Sequence, residues 1–189
     1  MALVAPASAR ANPQAWPVTI EIGQRALALP GGVSFSHANP AFVVGTEYVW
    51  ADGWAGALQQ TLRLGWLTSE ALDNGLLVAT ETTYRYAWRF GLFAGIGLGL
   101  GYLHGFHPRA IYRRDSAGRY ERATDWGRPT GVGSIVQAIG FDLSRQTSLP
   151  VAIDLRYQFF LQTPFVGDLP VAPQSILAVG LRFDVWNLL

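Results

Sequence analysis

The sequence predicts an all-β protein, an eight-stranded antiparallel up-and-down transmembrane β-barrel. First, apolar and polar residues alternate in eight segments, and a period of two is the geometry of a strand. Second, half of the residues are hydrophobic and only 14% are charged, against about a quarter in typical globular domains. Third, every charge within these segments falls on the polar face. Strands that face lipid on one side and an enclosed interior on the other account for all three observations.

The eight segments are residues 16–27, 41–50, 57–67, 76–88, 89–104, 132–143, 151–161 and 175–186. Each has about the length that a tilted strand needs to cross a bilayer. In the first segment, Val18 and Ile20 alternate with Glu21, and the other segments repeat this pattern. Gln60 and Gln137 interrupt the apolar faces of the third and sixth segments.

The fifth segment, residues 89–104, reads RFGLFAGIGLGLGYLH and carries glycine at every second position except Phe93. Glycine on the interior face of a narrow barrel leaves space for long side chains from the other strands. A phosphate-binding loop is disfavoured, because Leu100 stands where G-x-G-x-x-G needs its last glycine and the chain has no lysine. A transmembrane helix is disfavoured because so many glycines would weaken it.

Alternation alone does not say which face points inward, since a soluble lipocalin-like barrel places its apolar face inside. Volume favours the opposite arrangement here. Eight strands would each send four or five large apolar side chains inward, and an eight-stranded barrel is only just wide enough for its own side chains. The face rich in Gly, Ala, Ser and Thr fits that space.

The charges on the polar face point the same way, because acidic residues and arginines balance. An enclosed charge without a partner costs several kcal/mol, so balance indicates an enclosed face. The sequence therefore predicts a charge network in the barrel interior. Its members are Glu21, Arg25, Glu47, Arg63, Glu81, Arg85, Arg89, Asp142, Asp154, Arg156, Arg182 and Asp184.

The connections between segments alternate in length. The longer ones are residues 28–40, 68–75, 105–131 and 162–174. Long outer loops and short periplasmic turns are typical of outer-membrane barrels, so we expect both termini in the periplasm. Aromatic residues then fall near both rims, as membrane interfaces favour. The expected inner group is Trp16, Trp50, Tyr86, Trp88, Phe90, Phe141 and Phe183; the expected outer group is Phe42, Trp66, Tyr102 and Phe159. Trp186 is out of phase with its strand.

The last segment contains Ala178, Gly180, Phe183 and Val185 at the spacing of the assembly signal of outer-membrane barrels, although Ala178 replaces a polar residue. The match to this signal is partial, since the chain also ends in Leu189 rather than phenylalanine. In its architecture from Trp16 to Trp186, the chain resembles small outer-membrane barrels of the OmpA/OmpX type. The resemblance implies a Gram-negative outer membrane, contact with lipid and lipopolysaccharide, a monomer, and assembly by the barrel-assembly machinery through the last strand.

The start of the chain is expected to lie outside the barrel. Ala9, Arg10 and Ala11 form an A-x-A-like cleavage site, so residues 1–14 are interpreted as a residual signal peptide or flexible N-terminus and residues 15–189 as the barrel domain. The net charge of +1 gives no electrostatic argument for nucleic acid. No cofactor is predicted.

Candidate catalytic residues are few. Barrels that edit lipid A, which this chain resembles in size, place a histidine with serine or other polar partners at the outer leaflet. By that resemblance Ser36, His37 and His104 are weak candidates. No G-x-S-x-G motif occurs, and neighbouring residues of an extended chain point to opposite sides. His104 and His107 alone are too few ligands for a metal site.

The longest loop, residues 105–131, is rich in arginine and aromatic residues. Arginine pairs well with phosphate, so a lipopolysaccharide contact is expected at Arg109, Arg113, Arg114, Arg119 and Arg122. The alternative is a solvated loop, or an extension of the flanking strands above the membrane, which the alternation of tyrosine and arginine in this loop suggests. The sequence favours a non-enzymatic surface barrel with a structural or adhesive role. A lipid A-modifying enzyme and a narrow channel for polar or amphiphilic solutes stay open as alternatives.

Overall fold

The computed structural model describes residues 16–35, 38–53, 56–70, 72–116, 118–165 and 170–183. Eight antiparallel strands close into a barrel in the order β1-β2-β3-β4-β5-β8-β9-β10, with β10 pairing back to β1. The barrel strands are β1 (Val18–Leu27), β2 (Pro40–Gly53), β3 (Gly56–Leu67), β4 (Asn74–Ala87), β5 (Leu92–Phe106), β8 (Arg128–Asp142), β9 (Val151–Thr163) and β10 (Ala172–Phe183). The predicted fold class is confirmed.

The connection between β5 and β8 contains a separate two-stranded hairpin, formed by β6 (Ile111–Arg114) and β7 (Tyr120–Ala123). The sequence suggested instead that the flanking barrel strands extend through this region. Within the described ranges, no helix is long and apolar enough to cross a membrane.

The two ends of the barrel differ in their connections. We call the end with Val18 and Phe183 the turn end, and the end with Leu27 and Ala172 the loop end. Connections 28–39, 68–73, 107–127 and 164–171 lie at the loop end. At the turn end, residues 88–91 form a tight turn in which the Gly91 N–H bonds to the Trp88 carbonyl at 3.1 Å and Gly91 has φ +101°.

This turn corrects one expectation. β4 ends at Ala87 and β5 begins at Leu92, so Arg89 lies exposed in the turn. Arg89 therefore does not point into the barrel interior, as the alternation had suggested. The alternation of apolar and polar residues in the sequence continues through the turn. It therefore does not show where the hydrogen bonds between β4 and β5 end.

Bulky apolar side chains point outward around the barrel, as the volume argument predicted. Leu62, Leu98 and Leu181 are 54%, 67% and 38% exposed, whereas Arg63 is 3% exposed. The glycines of β5 make this possible. A Cβ atom at Gly97 would lie 2.6 Å from the Thr82 carbonyl oxygen, so that interior position has no space for a side chain.

Aromatic side chains cluster near both ends. At the turn end, Tyr48 and Trp50 pack edge to face with ring centroids 5.2 Å apart, and Tyr86 and Trp88 do the same at 4.9 Å. At the loop end, Trp66 stacks on Phe106 at 6.1 Å. These groups give the barrel two aromatic belts of the kind that membrane interfaces favour. Val185 and Trp186 lie outside the described residues.

Candidate functional site

The centre of the barrel interior is a charge network built from four strands. Arg63 of β3 donates from Nη1 to Glu81 Oε1 of β4 at 2.8 Å, and its Nη2 pairs with Glu21 of β1. Arg156 of β9 pairs with the second oxygen of Glu81. Gln158 accepts a bond from Arg63 and donates one to Glu81, at 2.8 and 2.9 Å. All five side chains are buried, so the network joins opposite walls through the lumen.

A second network closes the interior at the loop end. The buried Arg25 donates to Gln174 Oε1 at 2.7 Å and to the carbonyl and Oδ1 of Asp73 at 2.7 and 2.6 Å. Gln162 donates to the other carboxylate oxygen of Asp73 at 3.0 Å and accepts from Gln174 at 2.5 Å. Asp73 belongs to the connection 68–73, which therefore reaches into the mouth of the barrel.

The turn end carries a looser set of charges. Arg182 approaches Glu47 and Asp142 at 3.5 Å each, and Arg85 lies 4.0 Å from Asp142. Asp154 lines a cavity of about 40 Å³ next to this set. Such a cavity has room for about two to four water molecules. Asp184 lies outside the described residues.

Several members of these networks were not predicted from the sequence. Gln158, Gln162 and Gln174 occupy interior positions of β9 and β10, and the alternation of those strands was the signal that could have identified them. Asp73 carried no such signal, because it lies in a connection and its contact with Arg25 depends on the closed barrel.

His104, at the loop end of β5, has both ring nitrogens engaged. Nδ1 lies 2.6 Å from the Tyr102 hydroxyl and Nε2 lies 2.9 Å from the Trp126 carbonyl oxygen. Because a carbonyl only accepts, Nε2 donates, and in the neutral ring Nδ1 accepts from Tyr102. His104 thus ties the barrel wall to the base of the hairpin.

A second histidine, His107, contacts a carboxylate at the loop end. Its backbone N–H donates to Asp125 at 2.6 Å, and its Nδ1 lies 3.3 Å from the same oxygen. Desolvation would raise the pKa of Asp125, but hydrogen bonds from the backbone N–H groups of Gly127 and His107 hold that pKa below its usual value. In the described ranges, the partners of His104 and His107 include Tyr102, Trp126 and Asp125. Ser36 and His37 lie outside those ranges.

The hairpin presents two different faces. On one face, Tyr112 opposes Arg122 and Arg114 opposes Tyr120; on the other, Arg113 opposes Glu121. Among the described residues, neither Arg114 nor Arg122 forms an ion pair. The first face, which we call the Tyr–Arg face, therefore carries two exposed cations and no carboxylate.

The remaining loop arginines differ in their partners. Arg119 lies 3.5 Å from Asp115 in an exposed ion pair. Arg109 is exposed at the start of the same loop, beside His107. All five of the predicted lipopolysaccharide-contact arginines thus lie on the surface of the loop end.

No family model matches the chain, and no curated protein matches it. Among solved structures, the chain is similar to Neisserial surface protein A, with a TM-score of 0.58 and 11% identity over 90% of this chain and 97% of that one. It is also similar to the N-terminal β-barrel domain of Pseudomonas aeruginosa OprF, with a TM-score of 0.50 and 13% identity over 90% and 99% of the two chains. The chain has the fold of small outer-membrane barrels, and the predicted resemblance to that class is confirmed.

Proposed function

We propose that this chain is a non-enzymatic barrel of the bacterial outer membrane that contacts lipopolysaccharide phosphates through its hairpin. In this proposal residues 15–189 form the barrel domain, residues 1–14 are removed or flexible, and both termini lie in the periplasm. The chain would be inserted as a monomer by the barrel-assembly machinery, which would read β10. The observation that carries the binding role is the Tyr–Arg face of the hairpin.

Arginine suits this ligand because its planar guanidinium can donate two parallel hydrogen bonds to one phosphate. Arg114 and Arg122 occupy diagonal positions on one face of the hairpin, which places the two residues about 7–8 Å apart. Two cations at that spacing can hold one phosphate or two neighbouring ones. Arg113 faces Glu121 and Arg119 faces Asp115, so we expect smaller contributions from them.

The binding role is tested by comparing Arg114→Gln/Arg122→Gln with Arg113→Gln, a control on the opposite hairpin face. A charge-assisted hydrogen bond contributes about 1.5–3 kcal/mol, so the double variant should weaken lipopolysaccharide binding in a pull-down by about tenfold or more. Arg113→Gln should have a smaller effect. Unchanged binding by the double variant would remove the proposal. The heat-modifiable gel mobility of both variants checks that the barrel is folded.

We further propose that the barrel does not conduct. The support is the central network, where Arg63, Glu81 and Gln158 fill the lumen with mutual hydrogen bonds. Opening a path would separate buried charges at a high cost. Planar-bilayer recordings should give no stable unitary current, and a reproducible current would favour the narrow channel instead.

The His107–Asp125 contact favours one second candidate, an enzyme acting on outer-leaflet lipid A. A carboxylate that orients a histidine is one part of a hydrolytic site, and a nucleophile within reach of the histidine is the other. Mass spectrometry of lipid A from cells that express the chain distinguishes the candidates. Loss of an acyl group that depends on His107 would favour the enzyme, and unchanged lipid A would favour the non-enzymatic barrel.

A further inference from the structure

The first part of the connection from β1 to β2 lies against the outer wall of the barrel instead of extending above the loop end. This part, residues 28–35, reads ALPGGVSF and carries no charge; we call it the strap. The strap begins with a tight turn in which the Gly32 N–H bonds to the Leu29 carbonyl at 2.9 Å. Pro30 and Gly31, whose φ is +83°, occupy the two central positions of this turn and suit a type II turn.

The strap rests on the outer wall of the barrel. The Gly31 N–H donates to the Tyr157 hydroxyl at 2.8 Å, and the Ser175 hydroxyl donates to the Gly32 carbonyl at 2.8 Å. Ser175 is only 1% exposed, although it lies on the outward-facing side of β10, the same side as the exposed Val179. The strap is what lies over it.

This contact falls within the apolar band of the wall. Tyr157 lies in the middle of β9, and the outward residues on either side of it along the strand include the exposed Leu155 and Leu161. Polar groups at such a depth find no water, so each must be satisfied by protein. Tyr157 and Ser175 form their hydrogen bonds with the backbone of the strap, and the same bonds satisfy the backbone groups of Gly31 and Gly32.

Apart from Ser34, the strap's side chains are apolar, and the large ones point away from the protein. Leu29 and Phe35 are 73% and 71% exposed, and Val33 is also exposed. The hairpin at the same end of the barrel exposes arginines instead. Two loops with such opposite surfaces match two different surroundings, hydrocarbon for the strap and water with anionic groups for the hairpin.

We propose that the strap is embedded in the hydrocarbon of the outer leaflet against β9 and β10, where Leu29, Val33 and Phe35 contact lipid acyl chains. The proposal rests on the membrane placement given under the proposed function, and it is independent of lipopolysaccharide binding. It assigns to this side of the barrel a lipid contact surface that extends beyond the strands.

The chain contains no cysteine, so single-cysteine variants carry one fluorescent label each. Leu29→Cys and Phe35→Cys, labelled with an environment-sensitive dye in phosphatidylcholine vesicles, should be quenched by spin-labelled acyl chains as strongly as Leu98→Cys on the lipid-facing wall. Ser116→Cys at the hairpin tip should be quenched by aqueous iodide. Strap labels that behave like Ser116→Cys, while Leu98→Cys stays lipid-quenched, would overturn the strap proposal and leave the membrane placement intact. An iodide-quenched Leu98→Cys would overturn both.

Two further measurements test what holds and what covers the strap. Adding Tyr157→Phe and Ser175→Ala to Leu29→Cys removes both side-chain contacts, so the label should shift toward iodide quenching. An unchanged label would show that these contacts do not hold the strap in the bilayer. Pyrene attached at Leu29→Cys should give no excimer emission, and strong excimer emission would mean that a second copy, rather than lipid, covers the strap.

Discussion

Arginine occupies both the barrel interior and the loop-end hairpin, and the two regions treat it in opposite ways. Arg63 is enclosed and bonded to Glu81, Glu21 and Gln158. Arg114, in the hairpin, is exposed, with one hydrogen bond to the Gly118 carbonyl at 3.2 Å. Burial, and not residue type, therefore decides what an arginine does in this protein. In the interior, partners are required because an isolated buried charge is costly; in the hairpin, water replaces them.

Removing one carboxylate from each region should affect the stability of the barrel very differently. Asp73→Ala leaves the fully buried Arg25 without its acidic partner, so the free energy of unfolding should fall by about 3 kcal/mol. The matched change, Asp115→Ala, removes the exposed ion pair with Arg119 and a hydrogen bond from the Arg119 backbone N–H at 2.7 Å, so it should lower stability by no more than about 1 kcal/mol. Urea unfolding in lipid vesicles measures both. Equal losses in the two variants would break the distinction between the regions.

A smaller effect is expected from alanine at two glycines that face opposite sides of the wall. At Gly97, on the interior face, a new Cβ would meet the Thr82 carbonyl, whereas at Gly133 nothing lies within 4 Å. Gly97→Ala should destabilise the barrel by about 1–3 kcal/mol through overpacking. Gly133→Ala should leave stability unchanged or raise it by up to about 1 kcal/mol. The same urea titration reports both, and a destabilised Gly133→Ala would show that the outer face is also tightly packed.

The smallest effect concerns pH at the base of the hairpin. The pKa of Asp125 lies below the ordinary value of 3.8 because backbone N–H groups bond to its carboxylate. The stabilisation of the folded state by the ionised Asp125 carboxylate is therefore fully present above pH 3.8, and it is lost as the pH falls through the lowered pKa of Asp125. The protection factors of the His107 and Gly127 amides, which compare their hydrogen exchange with the intrinsic rate at the same pH, should be high near neutral pH and fall only at more acidic pH. Asp125→Asn should remove this pH dependence; if the dependence persists, another group causes it.

The alternation of apolar and polar residues predicted the strands, because side chains in a strand alternate between its two faces. It also predicted which face points inward, because the narrow interior of an eight-stranded barrel cannot hold the bulky apolar set. Glu81 and Arg63 were placed in the interior by parity alone. Arg89 was misplaced, since the point where a ladder ends is set by the turn. Asp73 and the strap could not be predicted, because their positions depend on contacts with strands distant in sequence, which exist only after the barrel closes.

Interior arginines are held by buried partners, whereas hairpin arginines are exposed, and we propose that only the first group stabilises the barrel. The most direct test compares Arg63→Gln with Arg114→Gln in one urea-unfolding experiment in vesicles. We expect that Arg63→Gln lowers the free energy of unfolding by about 3–5 kcal/mol and that Arg114→Gln changes it by less than about 0.5 kcal/mol. Similar losses in both variants, or a stable Arg63→Gln protein, would contradict this proposal.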